Sequence, residues 1–165
     1  TVASQVTRAA DVAVMTGSNF SSWYNQSEGT FVAEYSRPSA IANSFVLDVS
    51  NNTFDEIIAT YTNGAPNHIV NVRDGAAQQA AYTLLSGAGV DNTTYKAAFA
   101  VKLNDFAGCI NGGTVLTDTS GTMPTPDRMN IGTLSGTSQW LCGHIRRITY
   151  YPTRLPDATL RALSA

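Results

Sequence analysis

The stretch GHIRRITYYPTRLPDATLRAL, residues 143–163, is the part of the sequence that best indicates the fold. After Gly143, β-branched and aromatic residues predict a strand, and Pro152 ends it because proline offers no N–H to a sheet ladder. Beyond Pro156, Leu160 and Leu163 recur at the spacing of one helix face. The stretch therefore predicts a last strand followed by a short C-terminal helix that packs on a sheet.

The composition supports an all-β domain of modest charge. With 165 residues, one domain can bury roughly 70% of its unfolded surface without a metal or a disulfide. Only 13% of residues are charged, the net charge is −2, and no run of Lys or Arg occurs. These features exclude a nucleic-acid footprint and an anionic membrane surface, and they favour a neutral ligand.

The sequence was searched for membrane spans, for a leader and for segments outside the folded domain. No apolar run reaches the ~20 residues of a membrane span, and no basic and apolar leader pattern occurs. We therefore expect no membrane insertion and no export signal. The sequence begins at Thr1 without a methionine, which suggests a piece of a longer protein. Residues 1–19 are interpreted as a connector to an upstream region, and 20–165 as the folded domain.

Short alternating segments separated by turn signals about ten residues apart predict the strands of a sandwich. Residues 76–85 also have good helix propensity, but we predict a strand there because the segment is short for an isolated helix and a sandwich needs one. Hairpins are expected at 63–66 and at 111–113, where Asn, Gly and Pro favour tight turns. The strands predicted from these signals cover 29–35, 44–49, 57–61, 68–72, 76–85, 95–103, 106–110 and 114–117.

Four segments carry a resemblance to a known family: residues 20–30, 104–113, 129–132 and 143–163. Across residues 20–163 the chain resembles the concanavalin A-like, laminin G-like jelly rolls, and most of all the domains at the C-terminus of phage tail fibre proteins. The resemblance implies a β-sandwich of two antiparallel sheets with a short C-terminal helix. One departure is Pro156, where the family more often has Ser or a similar cap.

The resemblance also implies a role as a binding module of a phage or prophage tail protein. The expected partners are a host-surface polysaccharide and upstream tail-protein domains, with a homotrimer allowed, and the expected location is the virion after synthesis in the bacterial cytoplasm. One alternative is a structural module that caps or trimerises a fibre without a ligand. A less favoured alternative is a polysaccharide-degrading enzyme.

Catalytic patterns are missing from the sequence. Glycoside hydrolysis needs two carboxylates about 5 Å apart, whereas Asp55 and Glu56 are neighbours that point to opposite faces of a strand. Residues 132–136 lack the spacing of a nucleophile elbow, and His68 and His144 lie far apart with no zinc pattern. We predict a protein that is not an enzyme.

Three aspartates and two cysteines are candidates for calcium binding and for a disulfide bridge. Asp74, Asp91 and Asp118 lie in predicted loops and are the calcium candidates, although their flanks also describe ordinary Asx turns, which we favour. We predict no required metal or cofactor, with calcium as the open alternative. Cys109 and Cys142 lie on different predicted strands, so a bridge is conceivable, but two buried free thiols are favoured.

Jelly-roll lectins bind sugars through aromatic rings and through polar groups that reach hydroxyls. Trp140 follows a polar loop and is the first candidate for a stacking ring, although a tryptophan just before the last strand packs in the core more often than it binds a ligand. Tyr150 and Tyr151, like Arg146 and Arg147, are expected to face opposite ways on the last strand. The candidate ligand-binding residues are Trp140, Arg73, Tyr61, Tyr82, Trp23 and Tyr24.

Overall fold

A computed structural model of the chain describes residues 12–37, 43–64, 67–87 and 89–165. These ranges hold eleven strands and two helices. The strands are β1 Ala13–Thr16, β2 Glu28–Ser36, β3 Ser44–Ser50, β4 Ile57–Thr62, β5 His68–Asp74, β6 Ala77–Leu85, β7 Thr94–Lys102, β8 Phe106–Ile110, β9 Leu116–Asp118, β10 Arg128–Ile131 and β11 His144–Tyr151. Helix α1, Ser18–Ser21, lies between β1 and β2, and helix α2, Asp157–Leu163, follows β11.

The strands form two antiparallel sheets. The six-stranded sheet has the order β1-β10-β3-β4-β5-β6, and the five-stranded sheet has the order β11-β2-β7-β8-β9. β1 and β11, the first and last strands, are both edge strands. The predicted all-β sandwich with a short C-terminal helix is therefore confirmed.

The main core lies between the two sheets, because alternate residues of each strand point inward. Phe31 and Phe99 stack with their ring centroids 5.2 Å apart, and they pack with Ile58, Val70 and Val72 in one buried cluster. The residues between these positions consequently point to the outer faces of the sheets.

Helix α2 covers part of the outer face of the five-stranded sheet. Leu160 is fully buried there against Ala98, Ala100, Ala107 and Cys109. The small alanine side chains allow the helix to approach the sheet closely. The terminal stretch thus packs as its sequence predicts.

Several local predictions are confirmed. Residues 77–85 form a strand, and β8 and β9 form the predicted hairpin, with Asn111 and Gly112 at positive φ. β4 and β5 form the other hairpin, although Ala65 and Pro66 of its turn lie outside the described residues.

The N-terminal region extends the sandwich further than the sequence suggests. Residues 13–16, assigned to a connector, form β1 and pair with β10, whereas residues 1–11 of that connector lie outside the described residues. The short strand was hard to foresee because Val14 remains exposed and the segment lacks a clear apolar alternation.

The last strand contains an irregularity that the sequence does not reveal. Tyr150 and Tyr151 do point to opposite faces, but a bulge between Ile145 and Arg147 shifts the register. Because of this bulge, Arg147 pairs with Glu34, and Arg146 lies with Nη1 3.9 Å from a Glu34 carboxylate oxygen. The prediction that the two arginines face opposite ways is therefore wrong: both approach Glu34.

Both cysteines are free thiols, Cys109 buried and Cys142 exposed. The expectation of two buried thiols thus holds for Cys109 alone. In the described parts of the chain, no helix is long and apolar enough to cross a membrane.

Candidate functional site

The outer face of the six-stranded sheet carries a row of residues in register across five strands. Asn130 pairs with Asp48, Asp48 with Ala59, Ala59 with Asn71, and Asn71 with Ala81. Their sequence neighbours Ile58, Val70 and Val72 pack in the core between the sheets. The row therefore faces away from the core.

Five residues on β4, β5 and β6 form what we call the outer trough: Ala59, Tyr61, Asn71, Arg73 and Ala81. Tyr61 and Arg73 lie at opposite ends, because Tyr61 pairs with Ile69 and Arg73 pairs with Ile57. Four residues along a strand place the ends roughly 13 Å apart. Of the five, Ala59 and Asn71 are buried, with 0% and 6% of their surface exposed, and Ala81 is exposed.

Arg73 at one end of the trough is held by two contacts. Its Nη2 donates a hydrogen bond to the Ala76 carbonyl oxygen, and its guanidinium lies 5.0 Å from the centroid of the Phe54 ring. Among the described residues, Nη1 has no hydrogen-bond partner and Nε is buried without one. The guanidinium is thus fixed in place with donor groups to spare.

Asn71 lies at the centre of the trough. Its side chain is 6% exposed, Oδ1 is buried without a hydrogen-bond partner, and Nδ2 reaches Gln78 Oε1 only at 3.5 Å. An unpaired buried polar atom costs about 1–3 kcal/mol. A ligand group that donated a hydrogen bond to Oδ1 would remove that cost.

Tyr61, at the other end of the trough, is a partly exposed ring that packs on the buried ring of Phe45. It stacks on Phe45 with centroids 4.7 Å apart and an interplanar angle of 9°. Burial raises the pKa of Tyr61 above its ordinary value, so the hydroxyl stays protonated and can donate. Its ring presents an apolar surface suited to the C–H face of a sugar.

Asp48 supports the trough from the side of β3. This buried carboxylate accepts hydrogen bonds from Asn130 Nδ2 and Ser50 Oγ, both at 2.8 Å, and from the Ser135 N–H at 2.6 Å. Burial raises the pKa of Asp48, although these hydrogen bonds act in the opposite direction. Asp48 thereby ties residues 133–140, which we call the 133–140 loop, to the sheet.

The 133–140 loop borders the same outer face. Leu134 packs against the cluster of Phe45, Ile57 and Ala59, and Thr133 Oγ1 donates to the Ser138 carbonyl oxygen at 2.8 Å. Trp140, partly exposed, is the last residue of this loop. Of the six residues predicted to bind a ligand, Tyr61 and Arg73 lie on one face, at the two ends of the trough, and Trp140 lies on the loop that borders the same sheet.

Trp23 and Tyr24 lie elsewhere, at the edge of the sandwich beside β11. Both pack against Tyr150, with ring centroids 5.0 Å and 6.0 Å away, and both are partly exposed. Their rings cover the open edge between the sheets, which agrees with a packing role.

Tyr82 lies inside the sandwich, so we do not include it in the candidate site. It is 7% exposed, belongs to the core between the sheets, and its hydroxyl is buried without a partner. Its position follows from the alternation of β6, which turns Ala81 outward and Tyr82 inward.

The described residues contain no group of three or more His, Cys, Asp or Glu side chains arranged to hold a metal. Each of the three calcium candidates has a protein partner instead. Asp74 accepts a hydrogen bond from Thr122 Oγ1, Asp91 lies 3.6 Å from the Arg37 guanidinium, and Asp118 accepts from the Ser120 N–H at 3.0 Å.

Asn71 is the central residue that the sequence interpretation did not single out. The alternation Ile69, Asn71, Arg73 on one side of β5 and Val70, Val72 on the other was visible in the sequence. A polar residue on the outward side next to Arg73 is the signal that pointed to it.

No family model matches the chain, and no curated protein matches it either. Solved structures do. The carbohydrate-binding module CBM40 of the Ruminococcus gnavus IT-sialidase, bound to α2,3 sialyllactose, is similar with a TM-score of 0.71 at 20% identity, over 85% of this chain and 83% of that one. The NanB sialidase of Streptococcus pneumoniae gives a TM-score of 0.71 at 16% identity, over 93% of this chain and 27% of that one.

A third similar structure is a SAP-like pentraxin from Limulus polyphemus, with a TM-score of 0.61 at 10% identity, over 84% of this chain and 70% of that one. At these identities the likeness concerns the fold. Together with the two antiparallel sheets and the terminal helix, it confirms the predicted concanavalin A-like jelly roll.

Proposed function

We propose that the chain is a non-catalytic carbohydrate-binding module that takes an acidic, sialylated glycan in the outer trough. The observation that carries the proposal is the placement of Tyr61, Asn71 and Arg73 on one outer face, with the small residues Ala59 and Ala81 between and beside them. The similar CBM40 structures, which hold sialyllactose, support an acidic ligand in place of the neutral one that the overall charge favours.

Each residue of the trough has a role that its chemistry suits. The fixed Arg73 guanidinium would pair with a sugar carboxylate, because its planar donors match two carboxylate oxygens. Asn71 would hydrogen-bond a hydroxyl or an N-acetyl group through an atom that has no protein partner. Tyr61 would stack on the C–H face of a sugar ring.

The trough suits binding rather than hydrolysis. Its five residues include no carboxylate, and glycoside hydrolysis requires two that flank the scissile bond. Asp48, the nearest buried carboxylate in the register row, accepts hydrogen bonds from three donors and holds the 133–140 loop. We therefore propose that any chemistry on the glycan belongs to another domain.

We also propose, on the resemblance of residues 20–163 alone, that the module belongs to a phage or prophage tail protein. In that setting it would recognise host-surface polysaccharide at the tip of a fibre, beside upstream tail domains. The alternative in the same setting is a module that caps or trimerises the fibre and binds no glycan.

Glycan-array binding of the purified domain tests the proposal, using wild type, Arg73→Gln and Arg146→Gln. Arg146 is the matched control, since it is 62% exposed on the edge of the other sheet. We expect wild type and Arg146→Gln to bind sialylated glycans without added calcium, and Arg73→Gln to lose about tenfold or more in affinity.

Failure of folded wild-type protein to bind any sialylated glycan would overturn the proposal and favour the fibre-capping module. Equal binding by Arg73→Gln would also contradict it, because the site would then lie outside the trough. A Trp140→Ala variant shows whether the 133–140 loop contributes, and weaker binding in that variant extends the trough to the loop.

A further inference from the structure

A cavity lies on the side of the sandwich opposite the outer trough, beside helix α2. Its volume is about 240 Å³, and we call it the α2 cavity. It is lined by Val32, Glu34, Lys96, Arg147, Thr149, Tyr151, Ala162 and Leu163. It is therefore built from β2, β7, β11 and α2, none of which contributes to the outer trough.

The bulge in β11 explains why Arg147 lines this cavity. It brings Arg147 opposite Glu34 on the outer face, two residues before Thr149. Arg147 Nε donates to Thr149 Oγ1 at 3.0 Å, which orients the guanidinium. Neither of its terminal NH₂ groups has a hydrogen bond to a described residue, so both are available to a ligand.

The charges around the cavity favour an anion. Arg147 and Lys96 contribute two positive charges, and the Lys96 ammonium donates to the Ala165 carbonyl oxygen at 2.6 Å. Glu34 contributes one negative charge, but Arg146 Nη1 lies 3.9 Å from it and offsets that charge. The local excess of positive charge attracts a carboxylate.

The remaining lining is apolar on one side and polar on the other. Tyr151, Val32 and Leu163 provide an aromatic and aliphatic surface, and Tyr151 and Leu163 are partly exposed. Glu34, which lies opposite Arg147 on β2, and Thr149 contribute side-chain oxygens to the lining. This combination suits a small ring with one C–H face, several hydroxyls and one carboxylate.

We propose that the α2 cavity is a second glycan site, which takes one acidic monosaccharide unit of uronate type. Its carboxylate pairs with the Arg147 guanidinium and the Lys96 ammonium, a hydroxyl donates to Glu34, and the ring lies on Tyr151. The volume is below that of the pockets that bury drug-sized ligands, about 300–1,000 Å³, and suits a single sugar. The choice of a sugar among hydroxylated carboxylates rests on the proposed function.

Two sites on opposite faces would let one module contact two positions or two chains of an acidic polysaccharide. Linked binding events raise the overall affinity without any new contact. The second site would thus strengthen attachment to a repeating polysaccharide more than to a short oligosaccharide.

A titration followed by amide chemical shifts tests the α2 cavity directly. The probe is methyl β-D-glucuronide, and methyl β-D-glucoside, which lacks the carboxylate, is the control ligand. We expect the glucuronide to shift the resonances of Glu34, Arg147 and Ala162, and the glucoside to bind about tenfold more weakly or worse.

Three variants separate the two sites. Arg147→Gln should weaken glucuronide binding by about tenfold, whereas Lys102→Gln, which removes a 50% exposed charge at the far end of β7 from Lys96, should change it by less than about twofold. Arg73→Gln should leave glucuronide binding in the α2 cavity intact while it abolishes sialyllactose binding in the outer trough.

The proposal is overturned if saturating glucuronide shifts no resonance around the α2 cavity, or shifts only those of the outer trough. It is equally overturned if Arg147→Gln binds like wild type or if the glucoside binds as well as the glucuronide. If wild-type protein binds the glucuronide but not sialyllactose, the proposed function of the outer trough fails and the proposal for the α2 cavity stands.

Discussion

The two outer faces of this sandwich are covered to different extents. On the five-stranded sheet, α2 buries Leu160 completely against a surface of small residues. On the six-stranded sheet, the 133–140 loop reaches Phe45, Ile57 and Ala59, but Asn71 and Arg73 keep buried polar atoms without partners and Ala81 stays exposed. This difference indicates where a ligand is most useful to the protein. On the six-stranded sheet, a ligand could supply the hydrogen bonds that buried polar atoms lack.

The covered face should give the largest effect on stability. Leu160→Ala removes a fully buried side chain, and we expect it to lower the free energy of unfolding by about 2–5 kcal/mol. Chemical denaturation measures the change. Leu103→Ala is the control, since Leu103 is 58% exposed and should change stability by less than about 0.5 kcal/mol. A small effect of Leu160→Ala would show that α2 is not part of the stable core.

The shared core between the faces predicts a dependence on pH. His68 is buried, its Nδ1 lies 2.7 Å from Tyr35 Oη, and burial, with a smaller contribution from the Arg37 charge, lowers the pKa of His68 from 6.5 to about 4. The folded state therefore binds fewer protons than the unfolded state in this window. Stability should fall as the pH drops from 6.5 to about 4, by up to roughly 3 kcal/mol.

His68→Gln should remove this part of the pH dependence. Free energies of unfolding measured across the window for both proteins give the comparison. Because the core packs against both sheets, we expect low pH to destabilise both sheets in one transition. Parallel curves for wild type and variant would refute the assignment to His68.

On the face of the six-stranded sheet, the buried Asp48 carboxylate should hold the 133–140 loop in place through the Ser135 N–H. Asp48→Asn places an NH₂ group where donors now point, so we expect a loss of about 1–3 kcal/mol and faster amide exchange in the 133–140 loop. Asp127→Asn is the matched control, since the Asp127 side chain is 60% exposed. Unchanged exchange at Ser135 would mean that Asp48 does not hold the loop.

Arg73 should show the smallest effect on stability and the clearest effect on binding. Arg73→Gln removes a partly exposed charge from the outer trough, and we expect stability to change by less than about 0.5 kcal/mol. A thermal melt next to a binding curve tests this separation. A large loss of stability would make Arg73 a structural residue rather than a binding one.

Much of the sandwich could be predicted from the sequence, because strand alternation and Asn-Gly turns are local signals. The strand at 77–85 was correctly predicted against its helix propensity, and the hairpin at 111–113 followed from residues that tolerate positive φ. The β11 bulge could not be predicted, because Ile145 and Ile148 are compatible with a regular strand until the pairing with β2 is known.

The candidate site was only partly predictable for the same reason. Arg73 and Tyr61 were identified by residue type, but their common face depends on the register of β4 and β5. Tyr82 was included because an aromatic ring on a strand can face either side, and the alternation with Ala81 turns it inward. Asn71 was omitted although it lies on the same side of β5 as Arg73, because the register of β5 with β4 is needed to show that this side faces outward.

The most direct test of the central proposal is a chemical-shift titration of the wild-type domain with α2,3 sialyllactose. The account predicts saturable shifts centred on the amides of Tyr61, Asn71, Arg73 and Ala81, and their disappearance in Arg73→Gln. Binding without shifts at these four positions, or no binding by the folded protein, would contradict it.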